Sequence, residues 1–420
     1  MEYVRRVVDS ALDVLMQDLP AIALEGAKGV GKTATARQRA TTVLSLDNDL
    51  TRGIIADNPG AVDDAAGTVF IDEWQFVPSV WNVVRHAVDD GAPPGRFLLA
   101  GSAHPRAEAR IHSGAGRIVR LMMRPWSLPE RGIEQPGVSL AALLAGEAEV
   151  RGTTAVSLTG YVDEIFASGF PGIRQSPARS RPRLLESYIA RIIDHDIEEM
   201  GARVLRPASL REWLNAYGAA TATTASYSSL LRAATPGQDD KPSKVTAAIY
   251  RDLLQRLWVL DPLPAWVPGF GHFDRLGQSP KLHLVDPALA TVTAGVTPES
   301  VIRGAGPVVR DGTFLGALFE SLAALTVRVL AGPLRAQVHH FRLRGGDREV
   351  DIIIERPDHK VLAVEVKLAT VVRPADVRDL NWLAEAAPGQ IIDKVILNTG
   401  SQAYRRPDGI AVVPLALLGA

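Results

Sequence analysis

The stretch AIALEGAKGVGKTATA, residues 21–36, decides the fold of the N-terminal part of the chain. An apolar run, AIAL, leads into a glycine-rich turn, and a helix is expected over 33–40. Gly26-Ala27-Lys28-Gly29-Val30-Gly31-Lys32-Thr33 has the spacing of a phosphate-binding loop. Its glycines let successive backbone N–H groups converge on phosphate oxygens. The helix that follows directs its positive end at the same anion. In this pattern Lys32 reaches the β- and γ-phosphates and the Thr33 hydroxyl binds Mg²⁺, so ATP and Mg²⁺ are the expected cofactors.

Outward from the loop, strands and helices alternate. TVLSLD (42–47), TVFIDE (68–73), RFLLAGS (96–102) and IVRLMM (118–123) read as strands. Residues 3–17, with Val4, Val7, Val8, Leu12 and Leu15 near helical spacing, and residues 79–89 read as helices. Alternation of this kind implies a parallel sheet covered on both faces. Asp72 and Glu73 end the strand TVFI, where Asp72 is expected to hold magnesium through its water shell and Glu73 to orient the attacking water. One strand lies between the loop and the Asp-Glu strand, and a further strand ending in Ser102 follows. That layout resembles the additional-strand class of P-loop proteins, which includes the AAA ATPases. Ser102 is expected beside the γ-phosphate as a polar sensor. Arg117 and Arg124 flank the fifth strand, and Arg117 is the preferred γ-phosphate arginine.

The chain has 420 residues, enough for two or three domains. Hydrophobic content of 46% and charged content of 22% fit a soluble globular protein with real cores. The formal net charge of −1 confines any nucleic-acid surface to a local patch. No cysteine is present, which excludes disulfides, cysteine zinc sites and thiol catalysis and fits a cytoplasmic location. The first twenty residues are amphipathic and lack the uninterrupted apolar core of a signal peptide. No run approaches ~18 apolar residues, so no spanning helix and no membrane partner are expected.

The remainder divides into a small-residue connector over 136–180, a helical domain over 181–296 and a last domain over 297–420, after an ATPase domain over 1–135. In the middle, SLREWLNAYG, YSSLLRAA and KPSKVTAAIYRDLLQRLWVL read as three helices, followed by a Pro- and Gly-rich stretch over 261–282. This order suggests a winged helix-turn-helix. Val245, Ile249, Leu253 and Leu257 would form the core face of the third helix, which would begin near Ser243. Lys241, Lys244, Arg251 and Arg256 would contact DNA phosphates, or else form the solvated face of a packing module. Trp74, Trp81, Trp126 and Trp258 read as packing residues. His195 and the pair His339-His340 are not expected to be metal ligands.

The last domain reads as a helix (313–330), three strands (338–344, 349–355, 361–368), a helix (375–386) and two more strands. Alternation along a strand puts Glu365 and Lys367 on one face. With Asp351 and with Glu320 on the helix, they form a candidate Mg²⁺ site for a scissile phosphate, in which Asp351 and Glu365 ligate the metal and Lys367 stabilises the developing charge. The competing arrangement is a set of ion pairs on a retained fold.

DEWQ (72–75), LLAGSA (98–103), GAGRIVRLMMRPWSLPE (114–130) and SGFPGIR (168–174) together resemble a prokaryotic AAA-type ATPase family that carries a C-terminal domain of unknown function. The resemblance implies ATP binding and hydrolysis. The helix–three strands–helix–strand order around D…ExK resembles the restriction-endonuclease-like, PD-(D/E)xK, fold. The expected fold class is therefore α/β: an AAA-like P-loop domain, a winged helix-turn-helix middle domain and a restriction-endonuclease-like C-terminal domain. The expected function is an ATPase whose nucleotide state controls the C-terminal module on DNA. The alternative is a nucleotide-dependent regulatory ATPase that uses an inactive nuclease-like fold to bind DNA or a protein, with a homo-oligomer or a protein as partner.

Overall fold

The computed structural model describes residues 3–101, 115–202, 204–234, 244–267, 279–304 and 313–420. The chain forms two compact units that exchange segments. The first comprises Met1–Pro125, Ile189–Leu205 and Asp252–Val259, and the second Trp126–Tyr188, Arg206–Arg251 and Leu260–Ala420. This differs from the four consecutive segments read from the sequence. Residues 136–180, read as a linker or helical connector, supply strands and helices to the second unit.

The first unit is built on five parallel strands, β1 (Ala21–Glu25), β2 (Thr42–Ser45), β3 (Val69–Asp72), β4 (Phe97–Gly101) and β5 (Val119–Met122), in the order β2-β3-β4-β1-β5. β4 thus stands between β1 and β3, as the additional-strand layout requires. β1, β3 and β4 are apolar on both faces because the sheet is covered on both faces. Ala21, Ala23, Val69, Ile71, Phe97 and Leu99 point into one core with Trp74, Trp81 and Val84. The helix Ser79–Asp89 turns Val80, Trp81, Val84 and Ala87 inward, and Trp81 stacks at 4.6 Å on Trp74.

The second unit holds a seven-stranded sheet. Short strands β6 (Val138–Ser139) and β7 (Gly152–Thr153) precede β8 (Gln337–Arg342), β9 (Glu349–Glu355), β10 (Val361–Val366), β11 (Ile391–Asn398), β12 (Gln402–Arg405), β13 (Ala411–Pro414) and β14 (Leu418–Gly419). The sheet order is β7-β12-β13-β11-β10-β9-β8, while β14 pairs separately with β6. β8, β9 and β10 form an antiparallel meander; β10, β11 and β13 run parallel. The helix Arg378–Ala386 makes the crossover between β10 and β11, burying Leu380 and Leu383. The helix Phe314–Ala331 precedes the meander. Among the described residues it alone is long and apolar enough to cross a membrane by length and composition, contrary to the sequence expectation of none. Most of it is buried, and a core helix needs the same composition.

In the middle region the helix Pro207–Ala219 packs on Tyr227–Ala234 and on Pro287–Thr293. Gly218 is needed there, since a Cβ would lie 1.9 Å from Thr293 Oγ1. Within Lys244–Arg256 the buried face is Ala247, Tyr250, Leu253, Leu254 and Leu257. Val245 and Ile249 are exposed, so the expected core face is rotated: a second helical stripe through Ala247, Tyr250 and Leu254 shares Leu257 with the predicted one. Arg251 lies over the Tyr227 ring at 5.1 Å, a packing contact, while Lys244 and Arg256 are exposed. Lys241 and Ser243 lie outside the described residues. The described ends of the Pro- and Gly-rich stretch form an extension paired by antiparallel bridges Leu260–Leu284 and Leu263–Lys281, and Ala265 bridges to His340 on β8; 268–278 lie outside the described residues.

Candidate functional site

The loop 26–33 leaves β1 at its C-terminal end, where parallel α/β sheets place ligands. Gly26 has φ +148°, and a Cβ there would stand 2.1 Å from the carbonyl oxygen of Met123. Gly29 (φ +80°) and Gly31 (φ +103°) take backbone conformations that side chains resist. The helix after the loop, Lys32–Arg37, is shorter than the sequence suggested. Its dipole is correspondingly small, so the loop amides and Lys32 carry the anion chemistry. Lys32 folds over the loop and donates to the carbonyls of Gly26 (2.7 Å) and Ala27 (3.0 Å). Burial lowers its ammonium to about 8 against the opposing pull of Glu73 and Asp72.

Thr33 Oγ1 donates to Asp72 Oδ2 at 2.8 Å. Asp72 Oδ1 is buried and accepts no hydrogen bond among the described residues. Burial is the main cause that raises the Asp72 carboxyl, countered by the Thr33 hydrogen bond and reinforced by Glu73 and Asp47. A hydroxyl and a half-satisfied buried carboxylate side by side fit a hard divalent cation such as Mg²⁺. Glu73 sits in the left-handed region at φ +51°, and Gln75 Nε2 donates to its Oε2. Lys28 pairs with Asp196 (2.8 Å) and Glu199 (3.4 Å), which a π-turn at Ile192–Asp196 in the same unit brings to the loop.

The expected arginine is not brought to this site within the unit. Arg117 precedes β5 and binds Asp89 through Nε at 2.8 Å. β5 runs parallel to β1, pairing Ile22 with Val119 and Glu25 with Met122. Arg117 therefore lies at the strand starts, about 20 Å along the sheet from the loop. Arg124 is at the loop end of β5. Ser102 lies outside the described residues.

Arg6, which the sequence reading passed over, is buried and ties the loop down. Its Nη1 donates to the carbonyl of Val30 and its Nη2 to that of Arg124, both at 2.9 Å. Asp9 accepts from the Arg6 backbone and from Tyr3, and pairs with Arg39. An arginine immediately ahead of an acid-bearing helix carries no motif, so only the fold reveals it.

In the second unit the expected carboxylates do converge, but on a lysine. Lys281 Nζ lies 2.9 Å from Glu320 Oε1, 2.9 Å from Glu349 Oε1 and 2.9 Å from Asp351 Oδ1. Asp351 Oδ2 accepts from the Val366 backbone at 2.9 Å. Glu365 instead pairs with Lys367 at 2.6 Å. Burial first, then the Asp351 charge, raises Glu365 to about 8 against Lys367. Glu320 is raised to about 8 by burial and Asp351 against Lys281. Lys367 is pushed up to about 12 by Glu365 and Asp351 despite its burial. The set Glu320, Asp351 and Glu365 does not fit Mg²⁺ in this arrangement, because an ammonium already holds the oxygens of two of them, and no group of three metal-ligating side chains stands open among the described residues.

The stretches that carried the family resemblance are mostly structural. Ser127 donates from N and Oγ to Glu130 Oε2, and Arg174 grips Glu164 with both Nη atoms. Ser168 and Gly169 donate to Asp286 Oδ2.

Residues 18–131 match the family described as AAA domain. The chain carries an AAA-type P-loop domain. Residues 158–300 and 315–418 match two families described as domains of unknown function, DUF8612 and DUF4143. Uncharacterised proteins of Mycobacterium bovis and Mycobacterium tuberculosis are each 24% identical over 356 residues, covering 84% of this chain and 71% of theirs. A Walker-type ATPase of Pyrococcus abyssi is similar at 15% identity and a TM-score of 0.41, over 68% of this chain and 94% of that one.

Proposed function

We propose that the AAA-type P-loop domain binds and hydrolyses ATP, and that the rest of the chain is the output module of this nucleotide-driven switch. The observation that carries the reading is the meeting of Thr33 and Asp72 beside the glycine loop at the carboxyl edge of the five-stranded sheet. Thr33 and Asp72 would hold Mg²⁺, which when bound neutralises phosphate charge. The amides of Gly29 to Thr33 bind the phosphates. Lys32 exchanges its two carbonyl partners for β- and γ-phosphate oxygens, a stronger match for a buried cation. Glu73 orients the attacking water after release from Gln75. With Arg117 turned away, the arginine at the γ-phosphate is Arg124 or one from a neighbouring subunit of a homo-oligomer.

For the output, the order helix, antiparallel meander, crossover helix, parallel strands supports a restriction-endonuclease-like fold, and Lys244 and Arg256 supply an exposed basic edge for DNA. Phosphate release from MgATP tests the core of the proposal. Wild type turns over, and Glu73→Gln binds MgATP by calorimetry but loses about 100-fold or more in turnover. Absence of any MgATP heat in wild type defeats the reading.

A further inference from the structure

The acidic cluster of the second unit is assembled from three elements. Glu349 and Asp351 alternate on one face of β9. Glu320 comes from the helix Phe314–Ala331, and Glu365 and Lys367 from the end of β10 and the residue just past it. The β9–β10 ladder ends at Ile352–Val364, which leaves Asp351 and Glu365 adjacent beyond it. Such a convergence attracts a cation, and the structure supplies one from within the chain.

Lys281 is completely buried, in the narrow extension closed by the Leu263–Lys281 bridge. Its backbone N–H donates to Leu263 and its carbonyl accepts from Leu263, at 2.9 and 2.8 Å. The opposite side of the extension is held to β8, with Trp266 donating to the His340 carbonyl and His340 donating to that of Pro264. The main chain on both sides therefore sets where the ammonium goes. An ammonium has three N–H donors, and three carboxylate oxygens stand at 2.9 Å, so its bonding capacity is met.

We infer that Lys281 is the resident cation of this cluster, held in the position a divalent metal would take, so that the second unit takes up no divalent ion there and does not cleave nucleic acid. A divalent ion needs the same oxygens at about 2.0–2.6 Å from its own centre. Two cations cannot share that point. Lys367, which a cleaving site directs at the scissile phosphate, is engaged with Glu365. Glu349, absent from the sequence reading of the site, takes part because it lies two residues from Asp351, and Arg342 binds its other oxygen at 3.1 Å. This inference rests on the second unit alone and stands apart from the ATPase reading, because its test is run without nucleotide.

The test is Mn²⁺ binding to the full chain, read by electron paramagnetic resonance of free Mn²⁺. A Thr33→Ala/Asp72→Ala background removes the metal position of the P-loop. In that background Asp351→Asn changes nothing, because no Mn²⁺ is bound at the cluster. Lys281→Met gains one Mn²⁺ per chain, and Lys281→Met/Asp351→Asn loses it again. A bound Mn²⁺ that Asp351→Asn removes from the background protein overturns the inference. So does a folded Lys281→Met variant, verified by circular dichroism, that gains no Mn²⁺. If Lys281→Met does not fold, the background comparison decides alone. Incubation of wild type with Mn²⁺ and single- or double-stranded DNA, without nucleotide, is expected to leave the DNA intact; cleavage that Asp351→Asn abolishes contradicts the proposal.

Discussion

Lys32 is a buried cation that donates to the neutral carbonyls of Gly26 and Ala27. Replacing those with phosphate oxygens is the strongest change open to it, so most of the nucleotide affinity depends on this side chain. Lys32→Ala is expected to abolish measurable MgATP heat in calorimetry while the melting temperature of the apo protein changes little. Arg6 acts differently, since it donates to the carbonyls of Val30 and Arg124 and so ties the loop to the end of β5. Arg6→Ala leaves two buried acceptors without their donors, at about 1–3 kcal/mol each. Chemical denaturation should show that loss, and ATP affinity should fall without the loss of turnover at saturation that Glu73→Gln produces.

At the scale of elements, the loop and the end of β5 are a single packing unit. Gly26 approaches Met123 so closely that Gly26→Ala adds a clash to a strained φ. Strain of that kind costs about 1–3 kcal/mol before the clash is counted. The expected result is loss of ATP binding together with a lower unfolding midpoint. Gly218→Ala is a comparable test in the second unit: the Cβ meets Thr293, the helices Pro207–Ala219 and Pro287–Thr293 part, and the midpoint drops with ATP binding unchanged. The five strands of the first unit were legible in the sequence to within a few residues, because β1, β3 and β4 are short, apolar and punctuated by glycine or acid, whereas the helices Asp49–Asp57 and Ala61–Asp64 were not read. The rotated face of Lys244–Arg256 was not, because a helix with apolar residues at 245, 247, 249, 250, 253, 254 and 257 offers two overlapping stripes, and only its neighbours choose between them.

For the molecule as a whole, the acidic cluster makes stability depend on pH. Glu320 and Glu365 titrate at about 8 in the folded chain, against an ordinary 4.5. Between those values the folded state keeps protons that the unfolded chain has released. The associated stability is complete below about pH 4.5 and is lost as pH rises through about 8. Urea unfolding at about pH 5 and about pH 8 should show the second unit weaker at the higher pH. Glu365→Gln should flatten that slope; an equal slope in the variant removes Glu365 from the account. At higher pH, Lys367 adds a further loss as pH passes from 10.5 through about 12.

By itself the sequence determined the local chemistry of this protein: the phosphate loop, the acid pair closing β3, and the separate strands that carry Asp351, Glu365 and Lys367. Each of these is written in spacing or periodicity over fewer than about twenty residues. Only the tertiary structure decided which charge meets which. Arg117 falls at the far end of a parallel sheet, Arg6 reaches the loop, and Lys281 reaches Asp351 across 70 residues of chain. A side chain's charge is visible in the sequence, but the partner that neutralises it is chosen by backbone contacts between distant segments, and those leave no periodic trace.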